Sequence, residues 1–260
     1  MTDLEVTRSR RRGCVVLTLG GELSTPSAPE LYRAVAQALA EGPRAVVCDA
    51  SRLTVHHDAT SAFLVIADLA DDWPDAPVVV CGADEALTSR LQKRRIHERL
   101  VLRPSVQAAL ADPGQRPDLR QATLWLRSTP DAPRLARGFL ASVCERWSAN
   151  RFLEAGSVAM SELVTNVVRH VGTPLRISVV LTAHHMRLSV RDRGPGWPQA
   201  VAPGQRPVGG LGLRMVAALS ASWGVIPAEN GGKVVWCRLD GSAAGPEPTV
   251  LRAASARATG

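Results

Sequence analysis

The sequence predicts a mixed α/β protein in two parts, one over residues 1–112 and a second over residues 120–240. Three observations predict it. Short apolar strand-like runs alternate with helical patterns through the first part, the rhythm of a sheet with helices packed against it. A Pro/Gly/charged connector, Asp112-Pro113-Gly114-Gln115-Arg116-Pro117-Asp118, falls where the charge balance changes and sets a linker at residues 113–119. Beyond it, two apolar helical patterns flank a strand-like run at Met186–Val190.

The stretch before Gly13, with Arg8, Arg10, Arg11 and Arg12, reads either as a basic arm or as a first edge strand. Cys14–Leu19 is a strand, and Ala28–Ala40 is a helix that stops at Gly42-Pro43. Ala45–Cys48 is apolar throughout, as a strand covered on both faces should be. A helix over Ala59–Leu69, a strand over Pro77–Cys81 and helices over Asp84–Arg95 and Pro104–Ala111 complete the first part.

In the second part, Leu163, Val164, Val167, Val168 and Val171 recur at helical spacing and make an apolar stripe. Glu162, Asn166 and His170 stand four residues apart along one adjoining ridge. Met186, Leu188 and Val190 alternate with polar residues and lead into Asp192-Arg193-Gly194-Pro195-Gly196. Residues Trp197 to Val208 show neither period and read as a mobile loop over a pocket. Gly209-Gly210-Leu211-Gly212-Leu213 then opens a helical pattern through Met215, Val216 and Leu219; glycines there leave bare N–H groups and the positive helix end for an anion. Residues 241–260 mix Ala, Gly, Ser, Thr and Pro and read as a disordered tail.

Composition narrows the classes. Apolar residues make up 45% of the 260, enough for a proper core. The longest apolar run, Ala62–Ala67, is far short of the ~20 residues that span a bilayer. The N-terminus carries acid where a secretory signal carries base, so the expectation is a cytoplasmic protein without a membrane partner. Cys14, Cys48, Cys81, Cys144 and Cys237 are scattered and read as buried free thiols. His56-His57 is a poor metal pair, because neighbours on a strand point to opposite faces, and His184-His185 reads as polar turn filler. Residues 1–112 hold 13 Lys+Arg against 15 Asp+Glu, whereas the remainder holds 18 against 9. That basic second part suits a polyanion or an acidic partner, and no basic helix or aromatic platform points to nucleic acid.

The ordered set Glu162…Asn166, Asp192…Gly196 and Gly209…Leu213 resembles the ATP-binding fold (the Bergerat type) shared by gyrase, heat-shock chaperone, histidine kinase and mismatch-repair ATPases. It is most similar to the bacterial anti-sigma factor serine kinases, down to the ending Ala218–Gly224 and Gly231–Trp236. The resemblance implies an α+β sandwich, ATP and Mg as cofactors, and a serine/threonine protein kinase. Glu162 is then the general base, and Asn166 the ligand of a magnesium that bridges the phosphates. Asp192 accepts from the adenine amino group, Gly194 and Gly196 let backbone approach the base, and Gly210, Leu211 and Gly212 cap the phosphates. His170 either lines the site or interacts with the helix dipole. A threonine expected on the late strand is missing, with Val234 and Val235 in its neighbourhood. No long helix with a phosphoacceptor histidine precedes the domain, an expectation against a sensor histidine kinase.

The first part, with Gly21–Pro26 and Val46–Leu53, resembles a STAS domain, the fold of anti-sigma factor antagonists. The family's acceptor serine stands in a turn that corresponds here to Val55–Ser61, and both serines are replaced. Asp58 is either a fixed negative charge at that place or simply a helix N-cap. Thr60 and Ser61 are the remaining candidate acceptors. Together the resemblances imply a regulator of a bacterial partner-switching pathway that phosphorylates a STAS-type antagonist protein, with a sigma factor as another partner and a homodimer as a further expectation. The alternative is a non-catalytic binding protein that senses nucleotide or sequesters a sigma factor.

Overall fold

In the computed structural model, which describes residues 4–114, 119–194, 211–228 and 231–241, the basic N-terminal stretch is an edge strand. Strand β1 (Glu5–Arg11) pairs antiparallel with β2 (Cys14–Leu23). The two residues between them, Arg12 and Gly13, both take positive φ (50° and 78°), the geometry that follows the right-handed twist of a tight hairpin. Strands β3 (Val46–Val55), β4 (Val78–Cys81) and β5 (Val101–Arg103) then add in parallel, giving the order β1-β2-β3-β4-β5.

Parallel strands need helical crossovers, and the first three of the four helices supply them. Helix α1 (Ala28–Ala40) has its expected bounds: Pro29 at the first turn, and Gly42, at positive φ, donating its N–H to the Leu39 carbonyl. Helix α2 (Ala62–Asp72) follows β3, α3 (Glu85–Lys93) follows β4 and α4 (Val106–Ala111) follows β5. Asp84 and Ser105 cap α3 and α4, accepting the N–H groups of Leu87 and Ala108. Cys14, Val16, Val47, Val79 and Cys81 pack on Ala109 and Leu110 of α4. Their alternating neighbours, Val15, Leu17, Val46 and Val80, are equally buried, which is why these strands read as apolar throughout.

Two local expectations need correction. The helix expected over Ala59–Leu69 begins as a 3-10 turn, Asp58–Ser61, and becomes α-helical only at Ala62. Asp58 is not a helix N-cap: it lies inside that turn, and its carboxylate accepts the Thr25 hydroxyl at 2.8 Å instead. Strand β5 carries no alternation because three residues are too few to show one.

Contacts separate a second compact unit, Asp118–Gly260, from the first, Met1–Pro117. Its strands are β6 (Arg120–Leu126), β7 (Leu175–Leu181), β8 (His185–Asp192), β9 (Ser222–Pro227) and β10 (Lys233–Asp240). They form an antiparallel sheet in the order β6-β7-β8-β10-β9. Helices α5 (Ala132–Arg146), α6 (Leu153–His170) and α7 (Leu211–Leu219) supply Leu140, Val143, Met160, Leu163, Val167 and Val216 to one core with Ile177, Val179, Leu188, Val190, Val235 and Cys237. This is a two-layer α+β sandwich. No helix among the described residues is long and apolar enough to cross a membrane.

All five cysteines are buried and free; four lie in strands and Cys144 in α5. Burial pushes the thiols of Cys48, Cys81 and Cys237 up to about 12, with Cys81 adding to the effect on Cys48 and Asp49 to that on Cys81. A thiol so held is not a nucleophile near neutrality. An aromatic disulfide reagent at pH 8 should therefore titrate almost none of the five in the native protein and all of them in denaturant.

His184 stands in the turn after β7, but His185 opens β8 and is largely buried, its Nε2 without a hydrogen-bond partner. Burial, reinforced by Arg238, pushes its imidazole down to about 4. An unfolded histidine titrates near ~6.5, so below that pH the unfolded chain binds more protons and stability falls as pH drops towards 4. The expected loss is about 2 kcal/mol by pH ~4.5. Urea midpoints at both pH values should show a smaller drop for His185→Gln than for the unaltered chain; equal drops would refute the assignment.

Candidate functional site

Helix α6 is built to bury one side and present another. Gly156, Ala159, Met160, Leu163, Val164 and Val167 are buried at helical spacing. Glu162 and Asn166, one turn apart on the flank, are half-buried, and His170 is exposed in the last turn. Asn166 and His170 thus share the flank with Glu162, but His170 is on its wet end.

Two glycines bring other elements against that flank. The Glu162 carboxylate crowds the place where a Cβ would stand on Gly212, so a side chain at that one position would displace it. At the other end of α6, Gly194 sits against the Val171 side chain so closely that it too admits no Cβ. The Arg193 N–H donates to the Thr173 hydroxyl at 3.1 Å, which fastens the turn after β8 to the segment leaving α6. From residue 162 to residue 171 a helix rises roughly 13 Å, and Asn166 stands about midway. The start of α7, the flank of α6 and the exit of β8 therefore adjoin in the fold.

Asp192 ends β8 and is fully buried. Its Oδ1 accepts the Gly194 N–H at 3.0 Å, closing the turn on itself. Its Oδ2 lies 3.0 Å from Nζ of Lys233, the residue directly across from it on β10. Directly opposed residues on antiparallel strands share a face, here the helix-covered one. Val235, two residues on, belongs to the core of that face, while Val234 points away from it. Sequence reading looked for a threonine at Val234 or Val235 and missed Lys233. A lysine at the first position of a strand normally reads as solvent-facing, and only the register of β8 with β10 reveals otherwise.

Of the remaining predicted positions, Gly196 and Gly210 lie outside the described residues, as does the segment Trp197–Val208. Leu211 begins the backbone of α7. No group of three or more His, Cys, Asp or Glu suited to a metal occurs among the described residues. Magnesium asks for little of that kind: it keeps several waters and takes one or two protein oxygens beside phosphate. A half-buried Asn166 amide oxygen one turn from the Glu162 carboxylate, next to the opening of α7, fits that demand.

In the first unit, the Thr25 hydroxyl bond holds the Asp58 carboxyl below the usual range, so Asp58 is a fixed negative charge at neutral pH. Glu22, near the end of β2, and His56, just after β3, approach to 3.3 Å beside them. Thr60 is fully buried with its hydroxyl donated to the His57 carbonyl. Ser61 is exposed and donates to the Asp58 carbonyl.

Comparison with known proteins agrees with this layout. Residues 5–109 match the STAS domain family, and residues 126–239 match the family described as histidine kinase-like ATPase domain. The signal transduction histidine-protein kinase AfsQ2 of Streptomyces coelicolor is 36% identical over 99 residues, 32% of this chain and 18% of that protein, so the chain spans about a fifth of its length. Among solved structures, the RsbU and RsbW domains of Rv1364c from Mycobacterium tuberculosis are 22% identical over 46% of this chain and 32% of that one, with a TM-score of 0.36. An anti-sigma factor antagonist from Mycobacterium paratuberculosis is 19% identical over 42% of this chain and 92% of that one, with a TM-score of 0.37. The chain is thus a STAS domain followed by a histidine kinase-like ATPase domain, a domain type that binds ATP.

Proposed function

We propose that this chain is a regulator of a bacterial partner-switching pathway and a serine/threonine protein kinase, phosphorylating a STAS-type antagonist protein from ATP. The observation that carries the reading is the contact of the Glu162 carboxylate with Gly212, which sets a proton acceptor at the mouth of a glycine-opened helix.

The roles follow from chemistry. Bare N–H groups at the start of α7 receive the phosphates. Asn166 holds magnesium through its amide oxygen, and the metal neutralises charge on the phosphates when bound. Glu162 accepts the proton of the attacking hydroxyl as its oxygen bonds to the γ-phosphorus and the bond to the β–γ bridging oxygen breaks, leaving ADP. Asp192 accepts from the adenine amino group. Within the STAS half, Asp58 stands as a fixed charge, so this half serves as a docking or inhibitory module while the acceptor lies on another protein. Sigma factor binding belongs to the same reading, and nucleic acid does not.

The test is transfer of labelled phosphate from ATP to a panel of STAS proteins by the full chain. A labelled Ser or Thr on a panel member supports the reading. Binding of ATP without transfer to any of them would sink the kinase and leave a nucleotide-sensing protein.

A further inference from the structure

The Asp192–Lys233 pair is buried but incompletely satisfied. The Lys233 side chain is 7% exposed and that of Asp192 is 0% exposed. An ammonium carries three donors, and Asp192 is the only partner of Nζ among the described residues. Although Nζ and Oδ2 lie 3.0 Å apart, their approach is not aligned for a hydrogen bond, and Oδ2 has none. Native interiors rarely leave such groups unused, because a buried acceptor without a hydrogen bond keeps its full desolvation penalty. The pair also stands at the end of the sheet: Asp192 is the last residue of β8 and Lys233 the first of β10, beside the turn that abuts α6.

The pair therefore offers an acceptor and a donor side by side, facing the layer in which Glu162 and Asn166 lie. A complementary ligand presents a donor next to an acceptor in the same plane. We propose that Lys233 is a second base-reading residue, donating to the adenine ring nitrogen N1 while Asp192 accepts from the adjacent exocyclic amino group. This rests on the ATP-binding reading above and adds to it the residue that reads the ring. It also accounts for the absent threonine, since the donor comes from the position across from Asp192 and not from Val234 or Val235.

Calorimetric titration of the full, unaltered chain with three magnesium nucleotides tests it. They are ATP, 1-deaza-ATP, in which a C–H replaces N1, and purine riboside triphosphate, which lacks the amino group. Loss of a hydrogen bond from a charged donor should weaken 1-deaza-ATP about tenfold or more relative to ATP. In Lys233→Met the two should bind alike. Equal affinity of ATP and 1-deaza-ATP for the unaltered chain overturns the proposal and leaves the pair purely structural. Failure of ATP itself to bind is a different result, which removes the nucleotide reading and this inference with it. Purine riboside triphosphate binding as well as ATP would take Asp192 out of its role while leaving the Lys233 comparison intact.

Discussion

Glu162→Gln should lower phosphoryl transfer by about 10²- to 10⁴-fold while leaving ATP affinity nearly unchanged. Glutamine has the shape of glutamate, so the contact with Gly212 and the packing of α6 against α7 survive. What disappears is the ability to take a proton from the acceptor hydroxyl. Metal and phosphates are held by other groups in this reading, so binding and chemistry should separate cleanly. Single-turnover transfer from labelled ATP measures the chemistry and calorimetry the binding. A Glu162→Gln protein that transfers at the unaltered rate would place the base elsewhere, whereas one that loses ATP binding would make Glu162 part of the nucleotide pocket.

Lys233→Met should cost the second domain about 3–5 kcal/mol, because it leaves the Asp192 carboxylate buried without its ammonium. For a domain of this size that corresponds to a fall in Tm of roughly 10 °C or more. The double variant Asp192→Leu/Lys233→Met should recover much of that loss, since replacing both partners by apolar groups removes the unmet charge along with the pair. It should not recover ATP binding. Thermal unfolding and nucleotide titration of the singles and the double make a complete cycle. If Lys233→Met unfolds at the unaltered temperature, the pair is solvated and the cost of leaving Asp192 unpaired is absent.

Legibility of the fold tracked how local each cause was. Helix α1 was readable to the residue, because its apolar spacing, Pro29 and Gly42 all lie within fifteen positions. The flank of α6 was readable for the same reason: a four-residue spacing inside an apolar stripe is a local signal. Of the two readings of Asp58, the N-cap failed because that preference is also local, while the hydroxyl that claims its carboxylate is 33 residues away. The order β8-β10-β9 and the register that sets Lys233 against Asp192 were not readable at all. Strand alternation tells which face a side chain takes, not which strand it will meet. The closeness of Gly212 to Glu162 is another long-range fact, reached from the sequence only through the family resemblance and not from any local pattern.

The first sheet ends on one side in a strand of three residues and on the other in β1, where Arg8 and Arg10 both reach Glu41 and Arg11 is exposed. Stubby or cation-studded borders of this kind make poor templates for annealing a foreign strand. Both borders of the STAS sheet are therefore poorly suited to fibrous stacking or strand exchange.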